Sequence, residues 1–401
     1  MKIFLARKAL RFLAVAGVGL ALAGLIWLAT NVLGVRNPFV DTSPIEVRLI
    51  VAPGAADWVS DAAERFDERL NSRPITIRVI EQDGLEVYTQ LSSDSLRPAP
   101  SAWIAEGGFT LDLANLAARL SSRQDAFAGE GSVARSVLMW GGFSDRIAAV
   151  DVRFGGLTWS ALREAAIAPN GWASLGGRSE WGFFKLVLPD PRKSSEGLAA
   201  LLSAAAEFHG KSDLAASDLT DTRFQQWAQA LVDAVPNFAN FGSEPGKALA
   251  VRGPSAGDAG LLLESDWVSA LEGLSKWQPV LRYAPTTVAF DFPFAVWVGL
   301  DATGGGAQAP SGQSGGSSQR EAEQQAARLF RDFLLRDEQQ RRAEAFGLRP
   351  ASGNAVNGDG SLFAQWTALG VQPGLPATAP ITVSAEAVLA AFRWAETAVG
   401  R

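Results

Sequence analysis

Apolar residues recur along this chain with two different periods, and the switches between them predict its elements. Residues 45–51 form a run of strand length, Pro53-Gly-Ala-Ala56 a turn, and 57–70 an amphipathic helix with Trp58, Ala62 and Phe66 on one face. Residues 75–80 alternate as a strand, 85–91 read as helix, 102–105 as a short strand, and Glu106-Gly-Gly108 as the turn before a helix over 111–120. The pattern continues with a strand over 146–152, a strand over 183–188, a helix over 198–208, a buried strand over 260–263 with a helix from Trp267, and one long strand over 287–300. Residues 320–335 are strongly helical, and Asp337-Glu-Gln-Gln340 has capping-box spacing for a further helix closed by Gly347. Strand and helix alternate as in a parallel α/β protein.

In open α/β sheets ligands sit beyond the carboxyl ends of strands. That rule selects Gly54, Ala55 and Asp57 after the first strand, Glu106 and Gly107 after the third, and Glu264 and Ser265 after 260–263. Ser194, Ser195 and Gly197 open the helix that follows 183–188. Two hydroxyls and unpaired first-turn amides there could hold a polar or anionic group, although a capped helix alone gives the same pattern. Of the thirteen tryptophans, Trp140 and Trp267 are singled out as candidate aromatic walls because each lies at or just after a strand end, although core packing is the commoner role even there; most of the others are core.

The first 40 residues differ from the rest. Lys2, Arg7, Lys8 and Arg11 precede an apolar run from Phe12 to Leu33 that is long enough to cross a bilayer and has no small-x-small exit. An uncleaved signal-anchor over 1–40 is expected, with the remainder extracellular or periplasmic and held to the cell membrane by a single pass. Five of the 36 Lys and Arg residues and none of the 42 Asp and Glu lie in that segment. The exported part therefore has 31 basic against 42 acidic residues, a charge of −11 that disfavours nucleic acid as a partner. No cysteine is present, which excludes disulfides and thiolate chemistry. Residues 303–319 are, apart from Thr303, Gly, Ser, Gln, Ala and Pro with almost nothing to bury, and read as a flexible insertion.

Ala327-Arg-Leu-Phe330-Arg-Asp-Phe333 through Gln340, closing with Phe346-Gly-Leu-Arg349-Pro350, resembles the C-terminal signature of bacterial extracellular solute-binding proteins of the two-lobed periplasmic type. Thr158-Trp159-Ser-Ala-Leu162, Asp190-Pro191 with Ser194-Ser195-x-Gly197, and Tyr283-Ala-Pro285 with Asp291-Phe-Pro293 are similar to further landmarks of that family, in its order. The likeness spans 45–350, with Tyr-Ala-Pro standing where Tyr-Pro is usual and no hydroxyls in the turn at Pro53. The resemblance implies an α/β, two-lobed type II periplasmic-binding-protein-like fold with two hinge crossings, here preceded by one N-terminal transmembrane helix. Residues 41–150 and 288–401 would form the first lobe and 151–287 the second. It further implies a monomer that captures a small polar or anionic solute between its lobes and presents it to an ABC permease made of separate chains. A sensory or protein-interaction module on the same fold is the alternative, and an exported hydrolase ranks below both.

Catalytic chemistry finds little support. His209 is the only histidine and follows a helical Ala/Leu run with no Ser or Asp at triad spacing, so neither a catalytic set nor a cofactor is expected. A transition-metal site lacks ligands, and the oxygens of Asp57, Glu106 and Glu264 are the one candidate set for a hard cation.

Overall fold

The computed structural model describes residues 43–242, 244–299, 315–353 and 361–399. The segment expected to span the membrane and most of the Gly/Ser-rich insertion lie outside the described residues. Among the described residues no helix is long and apolar enough to cross a membrane.

Residues 43–45 and 68–75 make a small unit of their own, in which β2 (Arg69–Leu70) pairs antiparallel with the start of β3 (Arg73–Glu81). The remainder is one large unit. Its first sheet runs β3, β1 (Ile45–Val51), β4 (Ala102–Ile104), β13 (Pro293–Trp297), β5 (Phe127–Ser132). β1 and β4 are parallel, with Leu49 opposite Ala102, whereas β13 is antiparallel to both β4 and β5. Helices α1 (Pro53–Arg65), α2 (Gly84–Ser92) and α3 (Gly108–Ser122) follow its strands. Ile50, Val87, Trp103, Phe127 and Trp297 close one core of this layer.

The second sheet has order β11 (Pro279–Tyr283), β7 (Leu138–Phe143), β10 (Ala259–Leu263), β8 (Leu186–Val187). Around it lie α4 (Ser144–Phe154), α5 (Trp159–Ala166), α6 (Ser195–His209), α7 (Ala216–Leu219), α8 (Thr222–Asp233), α9 (Pro245–Arg252) and α10 (Glu264–Leu274). Gly141 in β7 is required by close approach, because a Cβ there would stand 2.3 Å from the ring of Trp267. A third, all-parallel sheet joins β12 (Thr286–Val288), β15 (Ala379–Val383) and β9 (Asp213–Leu214). The C-terminal helix α14 (Ala385–Ala398) packs on α6, α7 and α8 as well as on α3.

Two segments carry the chain between the sheets. Residues 133–137 and 284–292 run alongside one another, with Ser136 N donating to Phe290 O at 2.8 Å and Val133 N to Phe292 O at 3.0 Å. Phe292 is fully buried with φ +37°, a left-handed conformation that costs a bulky residue about 1–3 kcal/mol and is held by its surroundings.

Several expectations are corrected. Residues 146–152 belong to helix α4, not a strand; the strand here is the preceding run Leu138–Phe143, whose paired glycines hid it. Because β7 lies in the second sheet, the first crossing falls at 133–137 and not near 150. The helix expected over 57–70 starts at Pro53, a residue suited to the first helical position, and ends at Arg65. The long strand over 287–300 is two strands, broken where Phe292 turns left-handed ahead of Pro293. Helix α11 (Gly315–Leu334) takes in the last residues assigned to the insertion, and α14 sits largely against second-sheet helices although its residues were assigned to the first lobe.

Candidate functional site

A cavity of about 870 Å³ lies between the carboxyl end of the first sheet and the start of α6. Its first wall is built by Pro53 and Gly54 at the head of α1, by Gln82, Asp83 and Glu86 around the head of α2, and by Glu106 after β4. Its second wall comes from Ser194 and Glu196, from the loop after α8 (Asn237 and Phe238), and from Asp266 in the first turn of α10.

The N-terminus of α6 already has an anion. Ser194 is its N-cap, accepting from Gly197 N, and the next residue, Ser195, faces across the cavity margin to Asp83. Ser195 N donates to one Asp83 oxygen at 2.8 Å and its hydroxyl donates to the other at 2.7 Å. Asp83 is itself the N-cap of α2, accepting from Leu85 N at 2.8 Å. One carboxylate thus serves two helix starts, where unpaired amides and partial positive charge favour it. Burial nevertheless pushes its pKa up to about 6 against the opposing bonds from Ser195.

More carboxyls surround it. Glu106 is 4% exposed; Oε1 accepts from Gly84 N at 2.9 Å, while Oε2 is buried with no hydrogen-bond partner. Burial, then the neighbouring charge of Asp83, holds its pKa well above the usual range. Glu196 accepts from Leu263 N at 2.6 Å and is hydrogen-bonded to Asp266 carboxyl to carboxyl, an arrangement that requires a proton between them. Burial raises both, Asp266 to about 7. Gln82, 8% exposed, lines the same cavity, and its Nε2 has no hydrogen-bond partner among the described residues.

The residues selected from sequence are not all brought together. Gly54, Glu106 and Ser194 line the cavity, and Ser195 stands at its edge bound to Asp83. Asp57 and Ser265 line a smaller neighbouring cavity of about 130 Å³ that shares Gly54 and Asp266 with the larger one; Ser265 Oγ is buried there without a partner. Ala55 is buried within α1. Four assignments are corrected. Gly107 is a helix cap pressed on the crossing segment, where a Cβ would stand 2.3 Å from Ala289 O. Gly197 serves packing, because a Cβ would stand 2.2 Å from Pro189 O. Trp140 is core, its ring 4.8 Å from that of Trp159. Glu264 is fully buried and locked to Arg349 by bonds of 2.6 and 2.8 Å, and it also accepts from the Tyr283 hydroxyl. The hard-cation set therefore does not form, since Asp57 is exposed on α1 and Glu264 is consumed by Arg349; among the described residues no group of three or more potential ligands could hold a metal ion. Asp83 was missed, whereas Glu196 and Asp266 fall within the segments 194–197 and 264–266 expected to face one another, without having been singled out as ligand contacts. Asp83 before Gly84 has the N-cap signal, but nothing local marks it as facing the start of α6.

Two mixed sheets joined by paired crossing segments, with a polar cavity at their facing edges, define a two-lobed binding protein. The chain belongs to the bacterial extracellular solute-binding proteins, whose family profile matches residues 47–349. Solved structures agree in fold. The iron-bound HitA of Pseudomonas aeruginosa is 13% identical, covers 89% of this chain and 100% of its own, and has a TM-score of 0.52. The periplasmic binding protein AfuA of Actinobacillus pleuropneumoniae, with fructose-6-phosphate bound, is 10% identical over 88% and 96%, also at 0.52. A Streptococcus pneumoniae solute-binding protein in complex with the blood group A-trisaccharide is 11% identical over 89% and 96%, at 0.51. Among curated proteins, none matches the chain.

Proposed function

We propose that this protein captures a small polar solute in the 870 Å³ cavity and presents the closed form to an ABC-type permease made of separate chains, binding rather than chemistry being its activity. The observation that carries this is a polar cavity lined by the buried residues Gln82 and Glu106, each with a side-chain atom, Nε2 and Oε2, that has no hydrogen-bond partner among the described residues. Such groups are costly to leave unmade, and a solute that satisfies them gains what the empty cleft lacks. The first lobe then comprises the strands before residue 133 and β13, the second the strands between 138 and 283, and 133–137 with 284–292 form the hinge. The first 40 residues tether the protein to the membrane with the lobes outside, and the protein works as a monomer. A thermal-shift screen of the full chain tests the reading: a solute at one hundred times its dissociation constant adds about 2.7 kcal/mol of stability. A shift that persists unchanged in Glu106→Gln and Gln82→Ala together would move the site elsewhere.

A further inference from the structure

The chemistry of the cavity wall narrows the solute class. Eight of the lining side chains carry carboxyl groups and two, Arg192 and Lys193, carry cations. Arg192 is already held by Asp190 at 2.7 Å, and Lys193 is exposed at the rim. The N-terminus of α6, a feature suited to an anion, is filled by Asp83 through both its amide and hydroxyl contacts. An anionic solute would have to displace an aspartate that is covalently part of the protein, and would then face Glu106, Glu196 and Asp266. Desolvation opposes it throughout, and repulsion opposes it wherever those carboxyls are ionised.

We infer, on the basis of the capture reading above, that the solute is a small organic cation bearing an ammonium or guanidinium group, held between Glu106 on the first wall and the Glu196–Asp266 pair on the second. Glu106 is the independent pointer: it lines the cavity, is more than nine-tenths buried, and its Oε2 has no hydrogen-bond partner among the described residues. Carboxyls in such surroundings hold protons while the cleft is empty, and the cation takes the place of those protons. Gln82 Nε2 adds a donor beside Glu106, which suits a solute with a hydroxyl or carbonyl oxygen near its charged group.

Isothermal titration of the full chain at pH 8 with 1,4-diaminobutane, 4-aminobutanol, butylguanidine, sulfate, phosphate and glucose tests the assignment. At least one of the three cations should bind, and Glu106→Gln and Asp266→Asn should each weaken it at least tenfold, with circular dichroism of both variants unchanged. Binding of sulfate, phosphate or glucose with none of the cations overturns the cation assignment and leaves capture standing. Cation binding that neither substitution alters also overturns it, because the charge would then be read elsewhere. Silence from all six probes, in titration and in thermal shift, removes the capture reading and this assignment with it.

Discussion

Asp83 and Ser195 stand 112 residues apart in sequence and bind one another through two hydrogen bonds, one to each carboxylate oxygen. The first belongs to the loop that opens α2 on the first wall of the cleft, the second to the opening turn of α6 on the other. A single acidic side chain therefore stitches the two walls together along one margin of the cavity, in the place where a helix start would otherwise greet a ligand.

Replacing Asp83 by Ala should loosen that margin. Hydrogen bonds to a charged group are worth about 1.5–3 kcal/mol each, offset by relief of a buried carboxylate, so a net loss of about 1–3 kcal/mol is expected. Small-angle scattering should show a larger radius of gyration for Asp83→Ala than for the wild type. Equal radii would mean that the stitch does not hold the walls together.

Stability should fall as pH rises from about 4 to about 7. Asp83 is raised to about 6 and Asp266 to about 7, with Glu106 and Glu196 also raised, against about 4 in an unfolded chain. In that window the folded chain binds more protons than the unfolded one, so deprotonation favours unfolding. The charges near these carboxyls are mostly other acids, Glu86 beside Asp83 and Glu244 near Asp266, with Lys247 opposing at Asp266. Asp61, lowered to about 2 by its bonds from Arg342 and Arg65, acts in the opposite sense but only below pH 4. Melting temperatures should therefore be higher near pH 5 than at pH 8 for the ligand-free chain. A bound cation should reverse part of the trend, its affinity rising with pH as protons leave.

Glu264 and Arg349 form a buried pair whose disruption is costly on one side only. Arg349→Met leaves Glu264 uncompensated and should destabilise by about 3–5 kcal/mol in urea unfolding, whereas Glu264→Gln with Arg349→Met should cost less than the single change. If the double variant is the worse of the two, the pair is not a self-contained unit, which the additional bonds from Arg349 to Gln372 O and Gly374 O could bring about.

Gly197→Ala offers a local test of packing. Helix propensity alone would favour Ala by about 1 kcal/mol, but its Cβ would stand 2.2 Å from Pro189 O, so a net loss of about 1–3 kcal/mol is expected. A melting temperature at or above that of the wild type would show that the Pro189 turn yields freely.

The alternation of periods made the α/β class and most helices legible, because each rests on neighbours in sequence. What stayed hidden was long-range. Gln82-Asp83-Gly84 reads as a capped turn, which it is, yet the partner that gives Asp83 its second role is Ser195. Glu264 at a strand end reads as a candidate for ligand binding because its counter-ion, Arg349, lies 85 residues later. Leu138–Phe143 was lost as a strand because its paired glycines weaken the local signal, although Gly141 is there to admit the ring of Trp267. The same miss shifted the first crossing to residue 150.

The placement of β13 also sets an order of assembly. The four strands of the second sheet all fall between residues 138 and 283, whereas the first sheet has no partner between β4 and β5 until residues 293–297 arrive. On a ribosome the middle of the chain can close its own sheet while the earlier strands still present unpaired edges. Those edges must be kept from pairing wrongly until the late strand slots between them, so the first sheet, although its first strands are made first, closes after the second.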